Sequence, residues 1–386
     1  MTTNGKVCSL MNKSIRFFLS LCFLIGSPCI HAQMVISGGS FVTNPTSTVA
    51  IKGDLRSADN ASFQGRLTIS GNIVNRQRFF EDGSTLLLIG ETQTIETVDQ
   101  SMGTLIVNGN GQKRIIGNLL VQNSLQLEQG VVAPEGILQL AATATVSGGS
   151  SSSYIDGFLY HTGTGSKFYP VGRNGTYAPA TLLNVTGNDP IVGLAYFPTT
   201  AIDGTPFHWQ QQTLSGTYEG SRTELTFTAP NADYATYRDE VMVLGAERPG
   251  PNYTSLGQSA LSEQGNRFTI SSDQPSALPI LTVGFDIPQN TKNLYLPNAF
   301  SSSAPSSEDQ CVKVYGQRIS PNNFYLAIQD VWGNVMYETR SWEEASATGW
   351  RGPIGLQEVT ATYRYLLKGE FIGGKQFQQS GTILHY

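Results

Sequence analysis

From Met34 to about Gly149 the chain advances in short apolar bursts: VAIKGDL, RLTISGNIV, TLLLIGE, GTLIVNGNG, KRIIGNLLVQNSLQLEQGVV and GILQLAATATV. Each reads as about one strand, and the Gly, Asn and Ser residues around them supply turns. The earlier bursts recur at roughly 20 residues, the period of one solenoid rung. A lone rung cannot bury its own apolar face, so neighbouring rungs must stack to make a core. The pattern predicts a β-solenoid, a parallel β-helix of about six rungs.

Between about Asp189 and Phe285 the pattern lengthens into alternating runs: IVGLAYF, TELTFTA, EVMVLGAE, NRFTISS and LPILTVGF. Alternation puts one face of each strand on a core and the other in water, as in an antiparallel sandwich. Residues 189–288 are therefore expected to form an immunoglobulin-like β-sandwich. The polar stretch DIPQNTKN at 286–293 contains Pro288 and reads as a linker. Beyond it, Phe324, Leu326 and Ile328 alternate with polar residues, as do Tyr363, Tyr365 and Leu367, and Gly373-Gly374 is a hairpin turn signal. Residues 294–386 should form a small, mostly antiparallel β domain, which makes the whole chain all-β.

Two stretches carry resemblances. The block VSGGSSSSYIDGFLYHTGTGSKFYPVGRNGTYAPATL, Val146 to Leu182, closes the repeats. It resembles the closing block of solenoid surface proteins from gliding bacteria and their relatives, so the solenoid with its closing Gly/Ser/Tyr block is assigned to 33–188. At the other end, four motifs occur in order. They are Leu296-Pro297-Asn298-Ala299-Phe300, Val331-Trp332-Gly333-Asn334 followed by Val335 to Thr339, Gly349-Trp350-Arg351-Gly352, and the Tyr363/Tyr365 strand. This segment resembles gliding-motility-associated C-terminal domains, the type B sorting domains of the type IX secretion system.

That resemblance implies an address, recognised after Sec export by outer-membrane machinery, with Trp332 and Trp350 as packing and recognition elements. Glu343 and Glu344 then fall in the variable stretch between motifs, as a solvated loop. Two departures stand out. The loop after the Pro-Asn-Ala-Phe motif is Ser301 to Asp309, with only Glu308 and Asp309 as charged ligands, few for a calcium cage. The common acidic residue between Trp350 and Gly352 is here Arg351.

The N-terminus fits export. Lys13 and Arg16 precede the apolar run Phe17 to Ile25, Gly26-Ser27-Pro28 break it, and Ile30-His31-Ala32 offers a cleavage site before Gln33. The run falls short of the roughly 20 apolar residues that span a bilayer. Residues 1–32 are expected to be a removed signal peptide, with Met1 and Met11 both open as starts. Cys22 and Cys29 raise lipidation as a rival, which the preceding Leu21 and Pro28 fit poorly. Removing Lys6, Lys13 and Arg16 from the 24 cations leaves 21 against 29 acids, a net charge of −8. An acidic chain of this kind is not a nucleic-acid partner. Only Cys311 survives processing, so packing and sheet hydrogen bonds must hold the exported chain together. Beside Val312 and Val314 it reads as a small core residue.

Candidate chemistry is sparse. The solenoid acids Asp54, Asp59, Glu81, Asp82, Glu91, Glu96, Asp99, Glu128 and Glu135 are scattered, and the adjacent pair Glu81-Asp82 reads as a turn. Asp156 and His161 near Ser150 to Ser153 hint at a triad without a nucleophile elbow. His161, His208 and His385 lack zinc spacing. NGNGQK at 108–113 lies in a repeat turn with no following helix, unlike a phosphate loop. Tyr154, Tyr160, Tyr169, Tyr177 and Trp209 are open to two readings, core packing or a sugar-stacking platform. The expectation is a secreted or cell-surface, non-enzymatic protein, adhesive or structural, with no cofactor and no metal. The alternatives are a carbohydrate-binding module and a polysaccharide-active β-helix enzyme, with an extracellular glycan or surface ligand as partner.

Overall fold

The structure, a computed structural model, describes residues 33–36, 41–57, 61–75, 79–202, 205–250, 252–285, 294–353, 360–372 and 376–386. The expected signal peptide, Asp59, the 286–293 linker and the Gly373-Gly374 turn lie outside them. The chain is all-β, 61% strand against 4% helix, and its N-terminal part is a β-solenoid of about six turns. It divides into two units. One comprises the chain up to Phe197 with Trp209–Phe227 and Pro275–Ala277; the other takes Pro198–His208, Thr228–Gln274 and Leu278–Tyr386.

In the first unit each solenoid turn contributes strands to three parallel faces. One face stacks Thr48–Ile51, Arg66–Ile69, Thr85–Leu88, 104–107, 124–127 and Thr145–Gly148, in register at steps of 18 to 21 residues. Inward positions line up as an aliphatic ladder, Val49, Leu67, Leu86, Leu105, Leu125 and Val146. Its four middle members are fully buried. A second face stacks Met34, Leu55, Ile73, Ile95 and Ile115, and a third stacks Met102, Val121, Leu140 and His161. Between Gln100 and Glu135 the bursts merge into two longer strands. Gln100–Ile116 and Leu119–Glu135 each run 17 residues around the corners, and register shifts mark the bends.

Polar side chains hold the corners. Lys113 Nζ donates to the carbonyls of Glu91 (2.7 Å), Gly109 (3.0 Å) and Asn110 (2.7 Å). Gln93 Nε2 donates to Ile69 O and Gly71 O, and Gln100 Oε1 accepts from the amides of Phe79 and Phe80. These three side chains are buried. Ile69 O also accepts from Ile89 N at 3.0 Å, and buried corner carbonyls and amides need such partners where the ladders are interrupted.

The closing block ends the stack by reversing a strand direction. Leu159–Thr162 continues the parallel third face against Leu138–Leu140, yet pairs antiparallel with 191–194 of the strand Ala180–Phe197. That strand runs unbroken across the expected 188/189 boundary, so the solenoid and the alternating region share an element there. In the second unit Val241–Ala246 lies between Thr254–Gly257 and Ile280–Phe285, all antiparallel, and Ala260–Gln264 pairs with Arg267–Ser271. Ile280–Phe285 is buried on both faces rather than one. Tyr234 packs on Phe285 from one side, while Thr205 approaches Gly284 on the other.

The C-terminal segment carries a five-stranded sheet in the order Ala299–Phe300, Gln376–His385, Ala361–Glu370, Tyr325–Gln329, Val335–Thr339. All its neighbouring pairs are antiparallel except the first.

Candidate functional site

Three of the four ordered motifs of the C-terminal segment meet around one aromatic cluster. Alternation sends Leu296 and Phe300 inward, and the 299–300 strand docks beside 384–385, where Asn298 O accepts from Leu384 N at 2.8 Å. Pro297 is half-buried, and Asn298 and Ala299 are exposed. Phe300 stacks on His385 (4.6 Å, 19°) and meets Trp350 at 5.3 Å, and Trp350 in turn meets Tyr363 edge-on at 4.7 Å. Tyr365, two positions along the same strand, is also buried.

Trp350 is placed by its flanking glycines. It exchanges both backbone hydrogen bonds with Val312, at 2.8 and 2.9 Å. A Cβ on Gly349 would stand 2.4 Å from Val312 O at a φ of +65°, so the close approach requires glycine. Gly352, with φ +88°, lies against the Phe300 ring.

Trp332 does the opposite. It is 86% exposed, against 5% for Trp350. It sits in the turn between Tyr325–Gln329 and Val335–Thr339, and Asp330 locks that turn. Asp330 Oδ1 accepts from the amides of Trp332 and Asn334 at 2.8 Å, and Oδ2 accepts from Asn334 Nδ2 at 2.7 Å. The Asn334 side-chain hydrogen bond, reinforced by backbone donors, holds the Asp330 carboxyl below its ordinary pKa. Gly333 takes a φ of +91° that favours glycine. Val331, Val335 and Met336 around Trp332 are exposed too. Of the two tryptophans expected as packing and recognition elements, Trp350 packs inside and Trp332 stands in solvent.

Glu343 and Glu344 lie at a short helical turn, Glu344–Thr348, rather than in a loop. Ser341 Oγ accepts from Glu344 N at 3.1 Å, half of a capping box legible in the Ser-x-x-Glu spacing. The Glu344 carboxylate accepts from Tyr337 OH (3.1 Å) and Thr339 Oγ1 (2.6 Å). In the 301–309 loop, Glu308 accepts from Tyr315 OH and pairs with Lys313. Among the described residues no group of three or more His, Cys, Asp or Glu side chains is placed to hold a metal ion. Cys311 is buried.

On the solenoid the acids serve neighbouring rungs. Asp54 accepts from Asn72 N, Glu81 from Ser62 Oγ, Asp82 from Ser101 Oγ and Asp99 from Asn118 Nδ2, while Glu135 pairs with Arg114 at 2.7 Å. Asp156, His161 and the serines do not converge. Asp156 pairs with Arg173 at 2.7 Å, Ser153 Oγ donates to Gly130 O, and Ser150 bonds Ser152. His161 is buried in its aliphatic ladder, with Nε2 donating to Phe168 O at 2.9 Å. Burial pushes its pKa down to about 4, helped by the Lys167 cation and opposed by the bond to Phe168. Lys113 of the NGNGQK stretch is the corner bracket described above. Burial pulls its ammonium down to about 8, against the attraction of Glu91.

Of the aromatics considered for sugar stacking, Tyr154, Tyr160, Tyr169 and Trp209 are buried and Tyr177 is half-buried. Tyr169 OH donates to Val192 O and Trp209 Nε1 to Ala178 O. They belong to the core of the first unit. The chain matches no known protein family, no characterised protein and no solved structure.

Proposed function

We propose that residues 294–386 act as a sorting address of the type IX kind, carrying a non-enzymatic β-solenoid of adhesive or structural role to the outside of the cell. The supporting observation is the division of labour among the motif residues. Phe300, Trp350, Tyr363 and His385 bury one another, while Trp332 stands 86% exposed on a turn locked by Asp330. An exposed indole on a pre-ordered backbone is what a protein partner uses as an anchor. The partner in this reading is the outer-membrane secretion machinery. Localisation is secreted or cell-surface, reached through a Sec signal at residues 1–32. The immunoglobulin-like reading of 189–288 belongs to the same proposal, supported by the antiparallel pairing of Val241–Ala246 with Ile280–Phe285.

The test is fractionation of cells that carry the secretion system, expressing the intact chain, a chain lacking residues 294–386, and Trp332→Ser. The intact chain is expected outside, with the truncate and Trp332→Ser retained in the periplasm. Normal appearance of the truncate outside overturns the address. Normal export of Trp332→Ser alone overturns only the anchoring role of Trp332.

A further inference from the structure

Tyr295 and Tyr315 face each other across the antiparallel ladder of Leu294–Tyr295 with Tyr315–Gly316. Their direction follows from the period of two. Leu294, Leu296 and Val314 are buried, so the tyrosines beside them turn outward. The ring centroids are 6.1 Å apart at an interplanar angle of 37°. Both rings are exposed, and Tyr315 is fixed by donating its hydroxyl to Glu308 at 2.9 Å. Beside the pair lies an open depression of about 410 Å³, whose other walls are Val314, Gly316, Gln317, Trp342 and Ser346. Phe324 holds Trp342 edge-on at 5.6 Å, and Ser346 Oγ donates to Trp342 O at 2.8 Å. Among the described residues no charged side chain lines the depression.

We infer that this depression binds an uncharged carbohydrate chain, with Tyr295 and Tyr315 as the stacking platform and Gln317 and Ser346 as partners for sugar hydroxyls. Aromatic faces cover the apolar C–H faces of a pyranose, and neighbouring rings on adjacent strands suit consecutive sugars of an extended chain. The Gln317 amide both donates and accepts, as sugar hydroxyls do. Ser346 Oγ donates to Trp342 O and can accept a hydrogen bond from a sugar hydroxyl. A Pro-rich peptide, the other ligand of aromatic-lined grooves, is poor in N–H donors and makes less use of the Gln317 and Ser346 oxygens than a sugar does. Glu308 abuts the platform and the chain carries a formal net charge of −5, which disfavours uronates, phosphates and nucleic acid. The site lies apart from Trp332 in sequence and does not depend on the export route.

The experiment is calorimetric titration of the purified intact chain with hexasaccharides of β-1,4-linked glucose, N-acetylglucosamine and mannose, alongside an array of neutral and acidic glycans. Saturable, salt-insensitive binding of at least one neutral glycan is expected. Tyr295→Thr or Tyr315→Thr should weaken it about tenfold. Gln317→Ala, an exposed side chain, should weaken it with no change in melting temperature, and Trp332→Ser should leave it unaltered. A folded chain that binds no neutral glycan overturns the inference. So does affinity unchanged by Gln317→Ala and by the double tyrosine variant, or preference for a Pro-rich peptide or an acidic glycan.

Discussion

His161 gives the closing block an acid sensitivity whose size follows from its surroundings. It occupies the fourth place of the ladder Met102, Val121, Leu140, His161 and is 3% exposed. Its Nε2–H donates to Phe168 O, its Nδ1 has no hydrogen-bond partner among the described residues, and its ring stands edge-on to Tyr169 at 4.8 Å. Protonation would place a cation there with Lys167 close by. The folded pKa of about 4 lies below the ordinary 6.5, so the unfolded chain takes up the proton first. Stability from the neutral ring is therefore complete above about pH 6.5 and is lost as pH falls toward 4. Linkage gives a loss of about 2 kcal/mol at pH 5 and about 3 kcal/mol below pH 4. His161→Leu extends the aliphatic ladder and removes the titration. The assay is urea unfolding of both chains at pH 7.5 and pH 5, followed by tryptophan emission, in which buried Trp209 reports on this unit. The native chain should lose about 2 kcal/mol more than the variant between the two pH values, since titration of the carboxylates is common to both. Equal losses, or an imidazole proton resonance that titrates near pH 6.5 in the folded protein and is missing from the His161→Leu spectrum, would refute the reasoning.

Lys113→Met keeps an unbranched side chain, one atom shorter, while leaving three carbonyls without their donor, and should cost about 2–4 kcal/mol by urea unfolding. Trp350→Ala should destabilise by about 3–5 kcal/mol through the cavity left between Phe300 and Tyr363. Trp332→Ser, at an exposed site, should stay within about 0.5 kcal/mol of the native chain in the same measurement.

Where the sequence repeats a physical demand, it was legible. Rung spacing follows from the repeat, the strand alternation of the last segment from side-chain period, and the antiparallel pairing of Ala361–Glu370 with Gln376–His385 from the Gly-Gly signal between them. Length was harder, because an apolar run does not say whether the chain turns a corner inside one strand, as Gln100–Ile116 does. The expected 188/189 boundary falls inside the strand Ala180–Phe197. Asp189, where the longer alternating runs begin, lies within that strand, which takes a positive φ at Asn184 and Asp189. Within the candidate site, the two tryptophans carry the same local signature of a neighbouring glycine. What separates them is tertiary: Trp350 is bridged to Val312, some forty residues earlier, and Trp332 closes a turn on itself. The Tyr295–Tyr315 pair had a readable signal in the outward phase of LYL and VYG, but only strand pairing brings the two rings together.

The same contrast bears on where binding surfaces arise in such a chain. A parallel solenoid forms its ladders along the strands and leaves corner amides and carbonyls to be satisfied by side chains. Gln93, Gln100, Lys113 and Asp54 answer that demand one rung at a time. A motif such as NGNGQK therefore looks like a ligand cradle because it is a cradle, with the lysine of its own chain as the occupant. Polar residues that repeat with the rungs are thus accounted for by the fold before any ligand is invoked. Trp332, Tyr295 and Tyr315 are different in kind: each is a large side chain held outward by a locked turn or a strand pair, and its burial would add stability that the fold does not collect. Surfaces of that kind are the ones on which recognition is best sought, and substitution there separates binding from folding.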